Sequence, residues 1–181
     1  MEFRKEHYTE KLKNSDLKTF KLTYLFIWLY IITSGCYSFQ GASIPPDVNT
    51  FSVAFFENKA ATVNPSLSNT FTEKLKDKMN NTRLNFIREN GDFSFSGHIS
   101  EYFVEPISMQ GDANTTKNRL KISVYVKFEC AKHPEKNFEQ QFSNFQDFDA
   151  NINFSSVESD LVKEISNQLV QEIFNKAAVN W

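Results

Sequence analysis

The chain has 181 residues, 23% of them charged and 40% hydrophobic, with only five Gly and five Pro. That is the composition of one ordinary globular domain, and it excludes collagen-like, low-complexity and disordered chains. A formal net charge of −2 argues against nucleic-acid binding driven by bulk electrostatics. Phe is over-represented, with 19 against six Tyr and two Trp, so the chain needs a core, a partner or a lipid to cover flat apolar surface.

The charge is unevenly spread. Residues 1–35 carry six of the 20 basic residues and four of the 22 acidic ones, leaving 14 against 18 in the rest. Lys11, Lys13, Lys18 and Lys21 precede an apolar run from Leu22 to Ile32, followed by Thr33-Ser34-Gly35-Cys36. A basic region, a short apolar region and small residues before a cut describe a secretory signal. The run is too short for a transmembrane helix, which needs about 20 apolar residues. Small residues ahead of a cysteine resemble the lipobox of bacterial lipoproteins, in which Cys36 would become the acylated N-terminus. Thr33 stands where that pattern usually has Leu, and a signal anchor or a plain signal peptide are the other readings. On the lipoprotein reading only Cys130 remains in the mature chain, so no internal disulfide can form.

Residues 36–49, with Gly41, Pro45 and Pro46, read as a tether, and residues 50–181 as a single domain. Thr50–Phe55 alternates as a first strand. Asn64-Pro65 predicts a helix start with Asn64 as N-cap, and Leu67, Phe71, Leu75 and Met79 form the apolar stripe of a helix ending near Asn81. Arg83–Arg88 is a short strand, and Asn90-Gly91 a tight turn into a long strand, Asp92–Glu105, bulged or buried on both faces toward its end and closed by Pro106. Residues 107–118 predict a loop. Leu120, Ile122, Val124, Val126, Phe128 and Cys130 alternate with polar residues in the best-defined strand. After a turn at His133–Lys136, Phe138, Phe142, Phe145 and Phe148 mark a further strand with a phase slip near Asn144. Ser155 and Glu158 fit a capping box opening a last long helix. The fold class is α+β in two layers, with two helices on one face of a mostly antiparallel sheet of four to five strands.

Catalytic patterns are scarce. Cys130 and His133 have C-x-x-H spacing without the second pair a zinc site needs, and Cys130 continues a core phase. His98 has no nucleophile in a recognisable context, and no phosphate-binding loop or nucleophile elbow occurs. One constellation stands out: Lys117, Arg119, Lys121 and Lys127 cluster on the predicted loop and the best-defined strand, where Arg119, Lys121, Tyr125 and Lys127 share the outward phase. They are candidate contacts for lipid-headgroup phosphates, or simply a solvated sheet face.

The stretch Asn90-Gly91-Asp92-Phe93-Ser94-Phe95-Ser96-Gly97, then Asn118-Arg119-Leu120 opening the Lys-x-Ser-Val-x-Val-x-Phe strand, and the closing Ile173–Trp181 segment resemble the LptE family of lipopolysaccharide-assembly lipoproteins in its Bacteroidetes form. The likeness covers about residues 36–181. It implies a non-enzyme without metal or cofactor, lipid-anchored to the outer membrane on the periplasmic side. Its partners would be lipopolysaccharide and the LptD β-barrel, which such a protein plugs and helps to assemble. A lipoprotein cofactor of a cell-wall synthase is the alternative, and a lipid-carrying hydrolase a further rival.

Overall fold

A computed structural model describes residues 43–62, 64–108, 116–179 and 181. Cys36 and the proposed signal segment lie outside these residues. Among the described residues no helix is long and apolar enough to cross a membrane.

The elements in chain order are β1 (Thr50–Val53), β2 (Glu57–Asn58), α1 (Leu67–Asn80), β3 (Asn85–Phe86), β4 (Phe93–Ser108), β5 (Thr116–Cys130), a 3-10 turn (Pro134–Lys136), β6 (Phe138–Asp149) and α2 (Phe154–Ala178). The sheet has six strands in the order β3-β1-β4-β5-β6, with β2 beside β4. It is mixed, which corrects the expectation of a mostly antiparallel four- to five-stranded sheet. β4, β5 and β6 are antiparallel, whereas β1 runs parallel to both β3 and β4, and β2 parallel to β4. The physical reason is α1. A helix between two strands returns the chain to the end where it started, so β3 must run parallel to β1.

Asn90 adopts the left-handed conformation (φ 57°), as a tight turn requires. The turn does not join neighbouring strands, however, because β3 and β4 flank β1. The chain folds back across the start of β1, and a Cβ on Gly91 would meet the Phe51 carbonyl carbon at 2.5 Å. Gly97 is needed for a second close approach. Its φ is +155°, and a Cβ there would lie 2.0 Å from the Tyr125 carbonyl oxygen.

β5 keeps its period: Leu120, Ile122, Val124, Val126, Phe128 and Cys130 are buried beneath the helices, and the odd-numbered residues face outward. β4 slips by one residue between Ile99 and Glu101, so Tyr102 turns inward after Ile99 and Phe103 outward. The strand runs past Pro106, which pairs with Asn118, and β5 begins at Thr116 rather than after a loop ending at residue 118. β6 has no phase slip. Its register with β5 is unbroken from Phe138 to Asp149, and Phe145 belongs to the outward set while Phe142 and Phe148 are buried.

The α1 stripe Leu67, Phe71, Leu75 and Met79 is fully buried, with Phe71 edge-on to Phe56 at 5.0 Å. Asn64 does not sit at the N-cap. Its Oδ1 accepts from the backbone N–H groups of Ser66 (2.9 Å) and Leu67 (3.0 Å), an Asx turn just ahead of the helix. α2 is capped by Asn153, whose Oδ1 accepts from Ser155 N–H at 3.1 Å. Ser155 is therefore not the cap, and Glu158 is engaged elsewhere.

Residues 43–49 lie against the domain. Val48 is fully buried, Arg83 donates to the carbonyls of Ile44 and Pro45, and His133 Nε2 lies 3.0 Å from Asp47. Trp181 stacks on Phe93 at 5.4 Å, so both ends of the described domain close over the same end of the sheet.

Candidate functional site

Because β5 pairs with β4 on one side and β6 on the other, the outward phase of the three strands forms cross-strand rows. From the end near residues 108–116 they read Glu105–Arg119–Asp147, Phe103–Lys121–Phe145, Glu101–Ser123–Ser143 and His98–Tyr125–Gln141. All four cations singled out in the sequence come to this face, in line along β5.

They do not form a bare basic strip. Arg119 grips Asp147 with two hydrogen bonds, from Nε (2.7 Å) and Nη2 (3.0 Å), and its guanidinium carbon lies over the Phe145 ring, 3.6 Å from the ring centre. Arg119 holds the Asp147 carboxyl below its usual range, and Asp147 raises the Arg119 pKa in turn. Lys121 Nζ is 3.1 Å from Glu101 and 5.5 Å from the centre of the Phe103 ring. Glu101 accepts from Ser123 Oγ (2.6 Å), and that bond, with Lys121, lowers its pKa. Lys127 pairs with Glu129 at 3.0 Å, and Tyr125 donates its hydroxyl to Glu139 and stacks on His98. Every one of these pairs is partly open to water, and exposed pairs of this kind contribute little to stability. What they provide is an ordered array of exchangeable charged and aromatic groups. An anion entering it would have to replace a carboxylate at Arg119 or Lys121.

Two sequence candidates go elsewhere. Cys130 is buried, which pushes its thiol pKa up, and its backbone N–H donates to Asn137 Oδ1 at 2.7 Å. His133 bridges to Asp47 and meets Trp181 edge-on. Among the described residues no group of His, Cys, Asp and Glu could hold a metal ion.

Sequence reasoning missed the polar tie beneath the helices. Tyr102 donates its hydroxyl to Glu158, which also accepts from Asn64 Nδ2 at 2.7 Å. Burial, then Glu158, push the Tyr102 pKa well above its ordinary value. The only available signal was the bulge that turns Tyr102 inward.

The comparisons with known proteins decide the family. The LptE (lipopolysaccharide-assembly) family model matches residues 48–177. The chain belongs to the LptE family. The match spans β1 through nearly all of α2, so the outer face of β4-β5-β6 and the helical layer are both LptE-family structure. No curated protein matches the chain significantly. Among solved structures, the fold of this LptE-family chain is similar to a minor lipoprotein from Acinetobacter baumannii, with a TM-score of 0.50, 16% identity and coverage of 75% of this chain and 95% of that one. It is also similar to the hypothetical protein CT253 from Chlamydia trachomatis, with a TM-score of 0.52, 12% identity and coverage of 72% and 98%. At such identities the likeness is one of fold.

Proposed function

We propose that this LptE-family protein is an outer-membrane lipoprotein, moored through acylated Cys36 on the periplasmic side, that plugs and assists assembly of the LptD β-barrel during lipopolysaccharide export. The observation that carries the reading is the family match over residues 48–177. The fold suits a plug, being a two-layer body with a Phe-rich core on one face of its sheet and charged rows on the other. Two or three acyl chains on one cysteine would hold it stably at a bilayer, where one alone binds marginally.

On this reading Lys117, Arg119, Lys121 and Lys127 contact lipopolysaccharide phosphates, with Glu101 and Asp147 as the groups a phosphate displaces. Arg119 is the strongest member, since its planar fork fits phosphate as well as carboxylate. The chain's own role is then binding and positioning, without bond-making.

Affinity isolation of the tagged full chain from detergent-solubilised outer membrane tests the proposal. A large β-barrel should co-purify, and mass spectrometry of the mature N-terminus should find acylated Cys36. Recovery without any barrel, or an unprocessed Met1 terminus, would overturn it.

A further inference from the structure

β6 is an edge strand with unusual properties. Among the described residues it pairs with β5 alone, leaving its other side without a strand. Edge strands in soluble domains are normally short, bulged, covered by a helix or loop, or blunted by Pro or by charged side chains, Lys above all. β6 is 12 residues long (FEQQFSNFQDFD), its register with β5 is unbroken, and it contains no Lys, Arg, Pro or Gly.

The hydrogen-bond phase fixes which groups face the empty side. Ala150 N–H donates to the Thr116 carbonyl at 3.1 Å, which makes Lys117–Asp149 a non-hydrogen-bonded pair. Along the unbroken register, the odd-numbered residues therefore aim their N–H and C=O groups away from β5. Phe145 agrees with this assignment, because its N–H is taken by Asn144 Oδ1 at 2.8 Å instead of by β5, and Glu172 of α2 accepts from Asn144 Nδ2 at 2.9 Å. Glu139, Gln141 and Ser143 form an outward run on one side of this local cap, and Asp147 lies on the other.

Charge selects the occupant. The strand's ionisable side chains are Glu139, Asp147 and Asp149, all acidic and opposite Lys127, Arg119 and Lys117 of β5, with Glu172 and Lys176 of α2 beside the edge. A second copy is disfavoured. The two antiparallel registers of longest overlap, centred on Ser143 and on Asn144, would set Glu139 against Asp147 or against Asp149 of the copy, and like charges directly opposite destabilise a pair. A strand with Lys or Arg at those positions meets no such clash with Glu139, Asp147 or Asp149.

We propose that the free edge of β6 accepts, as one further strand, an extended segment of another protein with Lys or Arg at alternate positions. Backbone hydrogen bonds to the Glu139–Ser143 run would supply the attachment, and the carboxylates its register. The proposal is independent of the lipopolysaccharide reading, which stands if this one fails.

The test uses the full chain in detergent and a capped nonapeptide of alternating Lys and Val, with an alternating Glu and Val peptide as control. Amide hydrogen exchange is read residue by residue. The expected result is exchange slowed at least tenfold at Glu139, Gln141 and Ser143 with the Lys peptide and unchanged with the Glu peptide. Gln141→Pro should abolish the effect, because it removes an outward N–H and leaves the β5 ladder paired. A second variant, Glu139→Lys with Asp149→Lys, should exchange the preference for the two peptides. Protection that falls on other strands, that appears equally with the Glu peptide, that survives in both variants, or that arises without peptide as the chain dimerises would overturn the proposal.

Discussion

Tyr102 donates its hydroxyl to Glu158 across 56 residues of sequence, joining the long strand β4 to the N-terminal part of α2. Asn64 donates to the same carboxylate oxygen from the approach to α1, so one acidic group gathers three elements under the helical layer. Tyr102→Phe keeps the ring and removes that tie. Hydrogen bonds to charged groups are worth about 1.5–3 kcal/mol, and the variant should lose about 2 kcal/mol in chemical denaturation at pH 7. The pH dependence has a definite sign. The folded state holds the phenol proton above its ordinary pKa, so stability is intact below about pH 10 and falls as pH rises past it, where only the unfolded chain ionises. The alkaline fall should be shallower in the Phe variant.

Asp92 governs the acid side. Its Oδ2 accepts from the backbone N–H groups of Asn49 (2.8 Å) and Thr50 (3.0 Å), fixing the entry to β1, and Lys132 lies 3.4 Å away. The hydrogen bond from Asn49 is the main cause of its lowered pKa. A depressed carboxyl contributes stability above the unfolded-state pKa, and that contribution is lost as pH falls through the lower folded-state value. Asp92→Asn should therefore cost about 1–3 kcal/mol at pH 7. The gap to the parent should close progressively below about pH 4 in urea melts.

These two residues mark how far the sequence could be read. The apolar periods of α1 and β5 were legible because each buries one continuous face, and the family resemblance drew on the β5 motif together with residues 90–97 and 173–181. The mixed sheet was not, because strands as short as β2 and β3 carry no period, and the parallel pairing depends on a crossover that only tertiary packing reveals. A capping box at Ser155 and Glu158 was a sound local pattern, but Asn153 took the cap and Glu158 found a stronger partner in Tyr102. The charged face was half legible. Alternation located Arg119, Lys121 and Lys127 on one side and left Lys117 in a loop that is in fact the start of β5, whereas the carboxylate partners come from β4 and β6 and from Glu129, and pairing registers cannot be read from one strand.

Gly97 tests the core from another direction. At a compatible position Gly→Ala stabilises by about 0.4–1 kcal/mol through the unfolded chain. Here φ is +155°, the new Cβ would lie 2.0 Å from the Tyr125 carbonyl, and the Phe56 ring blocks a sideways shift at 2.8 Å. Gly97→Ala should cost more than about 3 kcal/mol, as strained backbone and overpacking combine. A thermal midpoint equal to the parent's would contradict the close approach of β4 and β5.

The charged face makes the functional prediction. Arg119 is held by Asp147 and Phe145, and Lys121 by Glu101, so removing the cations also frees carboxylates on a solvated surface. Reversing both charges, Arg119→Glu with Lys121→Glu, sets like charges across the rows. Because these groups are partly exposed, the midpoint of chemical denaturation should stay close to the parent's. Binding is affected differently, since a phosphate would meet four carboxylates in place of two ion pairs. Lipopolysaccharide affinity should fall at least tenfold, about 1.4 kcal/mol. Arg119→Lys separates fork from charge. It keeps the cation but cannot bind bidentately, and should weaken binding by an intermediate factor if Arg119 grips a phosphate. Circular dichroism should show all three proteins folded. Affinity unchanged in the double variant would remove the β5 cations from the binding surface and leave them as partners of Asp147 and Glu101 alone.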